Sequence, residues 1–452
     1  MLPSVSHPSL TDIETAVTQP NRKLKMPTKT LLICTVGGSH QPIVTAITSH
    51  QPDYVYFICT GNDPGTGRPG SAIQITGKGS CIKVHPADEK PSLPNIPTQA
   101  GLAENQFSVC ETLADDLDNI YSACQQAISQ AIANFPDCRL IADYTGGTKS
   151  MSAGLVVAAL ENKHVELQLI TGNRSDLIKV RDGFESTQFA NIEKVRFERL
   201  IDPYLRSWER YAYSEAEAGL KKLDSPRVPE LKNRLCLLRD LSRAYAEWDN
   251  FNHEGAWTIL QNYASRLVSK QQQQLLGNLR RLNDQNLEKR DAARLFDLYL
   301  NALRRAEQGR YDDAIARCYR LIEWSAQWLL ENQCGIKTAN IRVEDIPEGV
   351  ELSQNRDGIY QAGLFAAWQL IKHKTTGVAA QFISQQEKQF LNHLQCRNLS
   401  ILAHGFEPIK QADWLLFQQW LDKAFIPMLL SETKKSGING LPLQLPKNYH
   451  LA

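Results

Sequence analysis

Short apolar runs rich in β-branched residues recur along the chain between residue 29 and about residue 198. Such runs predict buried strands, and stretches with apolar residues every three to four positions predict the helices between them. The predicted strands are Thr30–Val36, Tyr54–Thr60, Arg139–Tyr144 and Val165–Thr171, and the predicted helices are 111–134 and Ser150–Glu161. Strands alternating with helices indicate an α/β Rossmann-like fold, a mostly parallel, doubly wound sheet with flanking helices.

The strand pattern stops after about residue 198, and residues 203–432 are rich in Leu, Ala, Arg, Glu and Gln. We therefore predict an all-α second half. Its segment Ala306–Leu321 resembles one helix-turn-helix repeat. Because no second copy follows, we expect two packed helices with a break at Gly309. Ser384–Glu387 reads as a capping box, so a helix is expected to begin at Gln385 and to end at Gly405. The last 20 residues carry Gly and Pro breaks and are expected to be peripheral.

Composition narrows the class of protein. The 452 residues carry 50 basic and 49 acidic side chains, so bulk charge does not indicate nucleic-acid binding and any RNA contact must come from a local patch. Ten cysteines are scattered without a C-x-x-C pair, which argues against a zinc ribbon and fits a reducing compartment. No membrane span and no signal peptide are evident, so a soluble, cytoplasmic protein is expected.

One candidate site lies on the predicted C-terminal helix. Arg397 and His404 are seven positions apart, which on a helix places them on one face about 10.5 Å apart. Phe390, Leu394 and Ile401 share that face, so the pair is aimed at a core or an interface. A histidine can move the protons that metal-free RNA cleavage requires, and a guanidinium can hold the phosphate. Asn398 could orient either group, and the plainer interpretation is a polar contact between helices.

A second candidate site consists of two glycine turns at the ends of predicted strands, Thr35–Pro42 and Asp143–Met151. In open α/β sheets, ligands bind outside the carboxyl ends of the strands, where backbone N–H groups meet phosphate. A Walker loop is excluded because Thr148, not glycine, precedes Lys149. The segment Gly65–Gly70 satisfies the dinucleotide pattern G-x-G-x-x-G, but Pro69 and the lack of a following amphipathic helix favour a flexible loop.

Arg397-Asn398 is followed by His404-Gly405, with six residues between the arginine and the histidine. This pattern resembles the arginine–histidine motif of the HEPN ribonucleases. The resemblance implies a helical bundle that acts as a metal-independent endoribonuclease. It also implies a homodimer in which Arg397 and His404 of both subunits line one cleft, with Asn398 at the polar position that follows the arginine. Two facing pairs would supply both proton carriers and two phosphate clamps.

The strings DYTGGTKSM and TVGGSHQP resemble the CARF domain, the CRISPR-associated Rossmann-like sensor, over residues 28–198. Together with the HEPN-like end and the segment Gly309–Glu323, the chain resembles the CRISPR type III accessory ribonucleases. The resemblance implies that cyclic oligoadenylate, a tetra- or hexa-adenylate, binds the CARF dimer and activates cleavage of single-stranded RNA in antiviral defence. The implied ligand-binding residues are Gly37, Gly38, Ser39, Gln41, Thr145, Gly147, Thr148 and Lys149.

The resemblance also divides the chain and leaves three alternatives open. The expected segments are a flexible tail at 1–27, a CARF domain at 28–198, a helical linker domain at 199–290, a HEPN domain at 291–432 and a C-terminal tail at 433–452. No cofactor besides the activator and no metal are expected. The CARF domain could also cleave its activator, helped by Ser39, Thr148 and Lys149, although hydroxyl-rich loops mostly only bind.

The main rival is a non-catalytic cyclic-nucleotide sensor whose helical half binds RNA or a protein partner. Its basic surface would come from Arg304, Arg305, Arg310, Arg317 and Arg320, although such residues more often form a solvated helix face. A second rival is a stand-alone HEPN toxin, which would cut RNA without any activator.

Overall fold

The computed structural model describes residues 29–62, 65, 67, 69–82, 92–174, 180–398, 402 and 406–449, and for 172–174, 180–185 and 396–398 it describes the backbone alone. The chain divides into two compact units, Met1–Arg196 and Phe197–Ala452. Each unit is described by itself. Among the described residues, we find no helix with the length and apolar character needed to cross a bilayer.

The first unit is built on a six-stranded sheet in the order β3-β2-β1-β4-β5-β6. All neighbouring strands are parallel except β5 and β6, which are antiparallel. The strands are β1 Lys29–Thr35, β2 Tyr54–Thr60, β3 Phe107–Thr112, β4 Cys138–Asp143, β5 Val165–Arg174 and β6 Val180–Phe189. The predicted α/β fold with a mostly parallel sheet is confirmed.

Helices cover both faces of this sheet, which is why its central strands are apolar without interruption. On β1, Leu31 and Ile33 face the core cluster that includes residues of α4 and α5, and Leu32 and Cys34 face the one that includes residues of α1. The helices are α1 Gln41–His50, α2 Ile73–Thr76, α3 Ile96–Ala100, α4 Leu117–Asn134 and α5 Lys149–Leu160.

The sequence analysis did not predict strands β3 and β6, and it placed the start of one helix too early. The helix expected over 111–134 is wrong at its start, because Glu111 and Thr112 end β3 and α4 begins at Leu117. Asp116 fixes that start, since its side chain accepts a hydrogen bond from the backbone N–H of Asn119 at 3.0 Å. β3 and β6 are the edge strands of the sheet and lack the long apolar runs of the central strands.

Among the described residues from 193 onward, the regular elements are helices apart from a two-residue ladder between β7 Ser353–Gln354 and β8 Tyr360–Gln361. The helices are α6 Glu193–Leu205, α7 Tyr213–Lys221, α8 Pro229–Asp249, α9 His253–Leu260, α10 Lys270–Leu282, α11 Leu287–Glu307, α12 Tyr311–Cys334, α13 Leu364–Lys374, α14 Val378–Asn398, α15 Gln411–Trp420 and α16 Ile426–Thr433. A π-helical turn, Leu421–Phe425, joins α15 to α16. The break between α11 and α12 contains Gly309, with φ +74°, as the sequence indicated.

Three expectations for the helical half are wrong. Ser384 is not a cap, because its hydroxyl donates to the carbonyl of Ala380 at 2.8 Å within α14, which begins at Val378. The C-terminal segment is not peripheral, because Leu445 is buried in the main core of this unit. Arg304 and Arg305 do not form a basic surface, because both side chains are buried.

Candidate functional site

The two glycine turns lie beside each other at the carboxyl edge of the sheet. β1 and β4 are adjacent and parallel, with Cys34 paired to Asp143, and each strand leads into its turn. After β1 the chain builds β2 and β3 on one side, then returns to place β4 on the other side. The junction of β1 and β4 is therefore the topological switch point, where open α/β sheets bind ligands.

The turns approach so closely that side chains would not fit. A Cβ atom on Gly37 would lie 2.6 Å from the backbone N of Gly147, and one on Gly146 would lie 2.2 Å from the carbonyl oxygen of Thr35. The Thr35 hydroxyl donates to the carbonyl of Gly146 at 2.7 Å. Gly147 has φ +85°, a backbone conformation that favours glycine.

A buried carboxylate holds the second turn in place. Asp143 accepts hydrogen bonds from the backbone N–H of Thr145 and from the side-chain amide of Gln168, both at 2.9 Å. The Thr145 hydroxyl in turn accepts from the backbone N–H of Ile170 at 2.7 Å. Burial raises the pKa of the Asp143 carboxyl. His50 lies 2.6 Å, Nε2 to Oε1, from Gln168 and completes this chain of contacts.

Thr148 is the N-cap of α5, whereas the sequence suggested ligand binding and possible help in activator cleavage for this residue. Its hydroxyl accepts from the backbone N–H of Met151 at 3.2 Å and donates to the carbonyl of Ala114 at 2.6 Å. Both functions of this hydroxyl are thus used within the protein. Lys149, the next residue, is exposed.

The beginnings of α1 and α5 give this edge an anion-attracting character. Neither helix has an acidic residue in its first turn, so their N-terminal N–H groups and positive dipole ends are not neutralised there. Gly38, Ser39 and Gln41 are exposed at the start of α1. The candidate residues of the two turns are therefore brought to one edge, with Gly37 and Gly147 in direct opposition.

Sequence reasoning missed Gln74, a residue of the short helix α2. Its side-chain amide N–H donates to the carbonyl of Gly37, and its Oε1 is buried without a hydrogen-bond partner in the part of the chain that the structure describes. No motif marks this glutamine, because its position depends on how 61–77 returns to the sheet edge. It fixes the first glycine turn from the side opposite to Gly147.

The arginine–histidine motif lies at the end of α14. The backbones of Arg397 and Asn398 form the last turn of that helix, while their side chains and all of His404 lie outside the described residues. The predicted arrangement of Arg397, Asn398 and His404 therefore stays a prediction. The described part of α14 reaches Asn398, and Leu402 lies in a turn.

The part of α14 before the motif is anchored in an aromatic core. Phe390 and Leu394, expected on the same face as Arg397, are buried. Phe390 packs against Trp368 and Trp420 with ring centroids 5.6 and 6.1 Å apart. His393 stacks on Trp420 at 4.7 Å, and burial lowers the pKa of its imidazole.

The chain that follows the motif is attached to α12. The backbone N–H of Ile409 donates to the Asp312 carboxylate at 3.2 Å, in the first turn of α12. Two large apolar side chains of α15, Leu415 and Leu416, are more than half exposed, and Phe406 is 92% exposed. An apolar surface thus flanks the motif on its C-terminal side.

A metal ion would need several ligating side chains close together. Within the described ranges, which leave out His404, no group of three or more His, Cys, Asp or Glu side chains is placed to hold a metal ion. The described candidate residues at the sheet edge are glycines, hydroxyls, an amide and a lysine. These groups suit an anionic ligand.

Comparison with known proteins identifies the helical part of the chain. Residues 283–426 match the family model described as the Csm6 HEPN domain, which confirms the resemblance drawn from the sequence. No curated protein matches the chain.

Two solved structures are similar over much of the chain. Enterococcus italicus Csm6 bound to cyclic hexa-2'-fluoro-hexa-dAMP has 12% identity and a TM-score of 0.49, with 89% of this chain and 94% of that chain covered. Can2 from Sulfobacillus thermosulfidooxidans in complex with cyclic tetra-adenylate has 11% identity and a TM-score of 0.23, with 52% of this chain and 68% of that chain covered.

Proposed function

We propose that this protein is an endoribonuclease activated by cyclic oligoadenylate, because its helical unit matches a HEPN domain of the Csm6 kind. It cleaves single-stranded RNA without a metal ion in CRISPR type III antiviral defence, and it works in the cytoplasm. The observation that carries the proposal is the match over 283–426, because this range contains Arg397, Asn398 and His404.

The motif residues divide the chemistry between them. The 2′-hydroxyl of the substrate loses its proton as it attacks the neighbouring phosphorus, and the departing 5′-oxygen gains a proton. His404 carries one of these protons, since imidazole both accepts and donates protons near neutral pH. Arg397 binds the phosphate and the negative charge that develops on it, and Asn398 orients the phosphate by hydrogen bonding.

We further propose that two copies of the chain pair through the apolar surface that flanks the motif. Leu415 and Leu416 of α15 and Phe406 are exposed, and a surface of this kind is covered in stable assemblies. The motif begins within α14 and precedes these apolar side chains in the sequence, so a second copy would bring two Arg397–His404 pairs to one cleft. One cleft then holds both proton carriers.

The first unit binds the activator at its switch point in this proposal. The paired turns present backbone N–H groups from Gly37, Gly38 and Gly147, and Ser39, Gln41 and Lys149 are exposed around them. Thr145 and Thr148 contribute chiefly by fixing the second turn, because their hydroxyls already make the hydrogen bonds described above. A cyclic adenylate carries one phosphate per nucleotide, which suits two helix N-termini side by side.

Cleavage of the activator by the first unit is a separate possibility for this site. The Thr148 hydroxyl is occupied as both donor and acceptor, so any assistance to that reaction falls to Ser39 and Lys149. Activation itself requires that the ligand bind one arrangement of the dimer more tightly than another.

The test uses the full chain and labelled single-stranded RNA with EDTA present, with and without cyclic tetra-adenylate or hexa-adenylate. We expect cleavage only with one of the rings, and we expect His404→Ala to abolish it. His373→Ala is the matched control, because His373 is an exposed histidine of the same unit, on α13. It should cleave as the unaltered protein does.

Other outcomes separate the rivals. Cleavage without any ring would indicate a stand-alone HEPN toxin. Ring binding without RNA cleavage by the unaltered protein would indicate a non-catalytic sensor. The burial of Arg304 and Arg305 argues against that sensor, because it removes two of the five arginines that would form its basic surface. A ring-dependent rise in Tm would identify the ring size independently of cleavage.

A further inference from the structure

The helical unit contains a cavity of about 350 Å³ that the proposed reaction does not use. The end of α8, the two residues that follow it, α11 and α12 supply its walls. The lining includes Asp249, Phe251, Asn301, Arg317 and Arg320. A cavity of this volume is at the lower end of the range that holds small organic ligands.

Positive charge predominates around this cavity. The Asp249 carboxylate is shared by two buried guanidiniums, with Arg304 Nε at 2.7 Å and Arg305 also bonded to it. Arg317 is next to this cluster, and burial followed by the charge of Arg305 lowers the pKa of its guanidinium. One carboxylate thus neutralises only one of the two buried arginines behind the cavity wall.

Two arginines of α12 face the cavity with donors that the described contacts leave unused. Arg317 donates from Nε to Asn301 and from Nη1 to the carbonyl of Asp313, and its Nη2 takes part in neither bond. Arg320 donates from Nη1 to Glu323 and Gln327, and its Nε and Nη2 take part in neither bond. Such donors are suited to phosphate oxygens.

An aromatic side chain stands beside these arginines. Phe251 lines the cavity and has φ +67°, a backbone conformation that L residues rarely adopt. Its ring centroid lies 6.4 Å from that of Trp324, over which the Arg320 guanidinium lies at 5.7 Å. Phe251 and Trp324 are half-buried, and accessible aromatic faces next to arginines are the pattern that binds single-stranded nucleic acid.

We infer that this cavity binds one nucleotide of the single-stranded RNA substrate, with the phosphate at Arg317 and Arg320 and the base against Phe251. The inference rests on the proposed function for its choice of ligand. The cavity is a binding site distinct from the Arg397–His404 motif, and it holds the strand without taking part in the cleavage chemistry.

The position of the cavity along α12 suits such a role. Asp312, in the first turn of α12, binds the backbone of Ile409 in the chain just after the motif. Arg317 and Arg320 follow Asp312 by about 7.5 and 12 Å along the helix axis. One helix therefore connects the segment that follows the motif with the cavity.

Binding of a single-stranded 2′-O-methyl RNA tests the inference, because this RNA has no free 2′-hydroxyl and cannot be cut. We expect Arg320→Gln to weaken binding about five-fold and to reduce the slope of log affinity against log salt by about 0.7, the loss of one phosphate contact. Phe251→Gly, which tolerates the positive φ, should weaken binding about five-fold or more through the lost stacking.

Arg310→Gln is the matched control, since Arg310 precedes the same helix, is exposed and does not line the cavity. It should leave affinity and salt slope unchanged. Equal losses for the Arg310 and Arg320 variants, or no loss for Arg320→Gln and Phe251→Gly, would overturn the inference. A protein that cleaves RNA but binds it independently of Arg320 retains its proposed function. One that binds RNA through Arg320 but cleaves nothing retains the cavity and loses the ribonuclease.

Discussion

Gly37 and Gly147 face each other so closely that a Cβ atom on Gly37 would lie 2.6 Å from the backbone N of Gly147. The contact joins the turn after β1 to the turn after β4. Neither backbone can shift without disturbing hydrogen bonds on its own side, from Gln74 to Gly37 and from Thr145 to Asp143. The two turns therefore behave as one preformed surface.

Gly37→Ala should destabilise the first unit by about 1–3 kcal/mol, the usual effect of forcing an extra methyl group into packed atoms. It should also weaken cyclic oligoadenylate binding, measured by calorimetry. Gly38→Ala is the control for stability alone, because nothing lies within 4 Å of a Cβ at Gly38. Equal effects of the two variants on stability would contradict the opposition of Gly37 and Gly147.

Thr148→Ala should lower the free energy of unfolding by about 0.5–2 kcal/mol, because α5 loses its N-cap. Thr148→Ser keeps the hydroxyl that contacts Met151 and Ala114 and should retain most of the stability. Denaturant unfolding of both variants provides the comparison. If the serine variant were as unstable as the alanine variant, the capping role would be wrong.

Asp249→Ala should lower the free energy of unfolding by about 3–5 kcal/mol, because it leaves Arg304 and Arg305 buried without a counter-charge. Glu344→Ala breaks the exposed pair with Arg342 and should cost about 1 kcal/mol or less. Chemical denaturation of both variants measures the difference. A small effect at Asp249 would show that water reaches these arginines.

The partial burial of His393 predicts a pH dependence of stability. Because its pKa in the folded protein is lowered, the folded state binds fewer protons than the unfolded state as pH falls below the ordinary histidine value of about 6.5. The contribution of His393 is complete above that pH and is lost toward the lowered pKa. His393→Phe keeps a ring on Trp420, so its denaturation midpoint should fall less than that of the unaltered protein between pH 7.5 and 5.5. Parallel falls would refute the assignment.

The sequence predicted the central strands well because buried parallel strands are apolar on both faces. β1, β2 and β4 lie within one residue of their predicted bounds. The edge strands β3, FSVCET, and β6, VRDGFESTQF, were missed because neither has the continuous apolar run of the central strands. The glycine turns were identified as a site, but their direct contact depends on strand order, which local patterns do not encode.

The helical half shows the same limit. The amphipathic pattern revealed helices but not that Arg304 is buried, because its partner Asp249 is 55 positions earlier in the chain. The capping-box pattern at Ser384 was misleading because this residue lies inside a helix that begins earlier. Its hydroxyl donates to a backbone carbonyl one turn earlier in that helix. Gln74 carries no sequence signature at all, since its contact with Gly37 arises from a loop returning to the sheet.

The hydrogen bond from Thr35 to Gly146 joins residues 111 positions apart. The switch-point surface therefore has a high contact order and cannot form from either half of the sheet alone. A fragment ending before β4 would contain the first turn and yet have no ligand site. Binding of a cyclic nucleotide would therefore require the entire sheet to be folded. A saturating ligand would protect peptide bonds of this unit that are distant from the site against proteases.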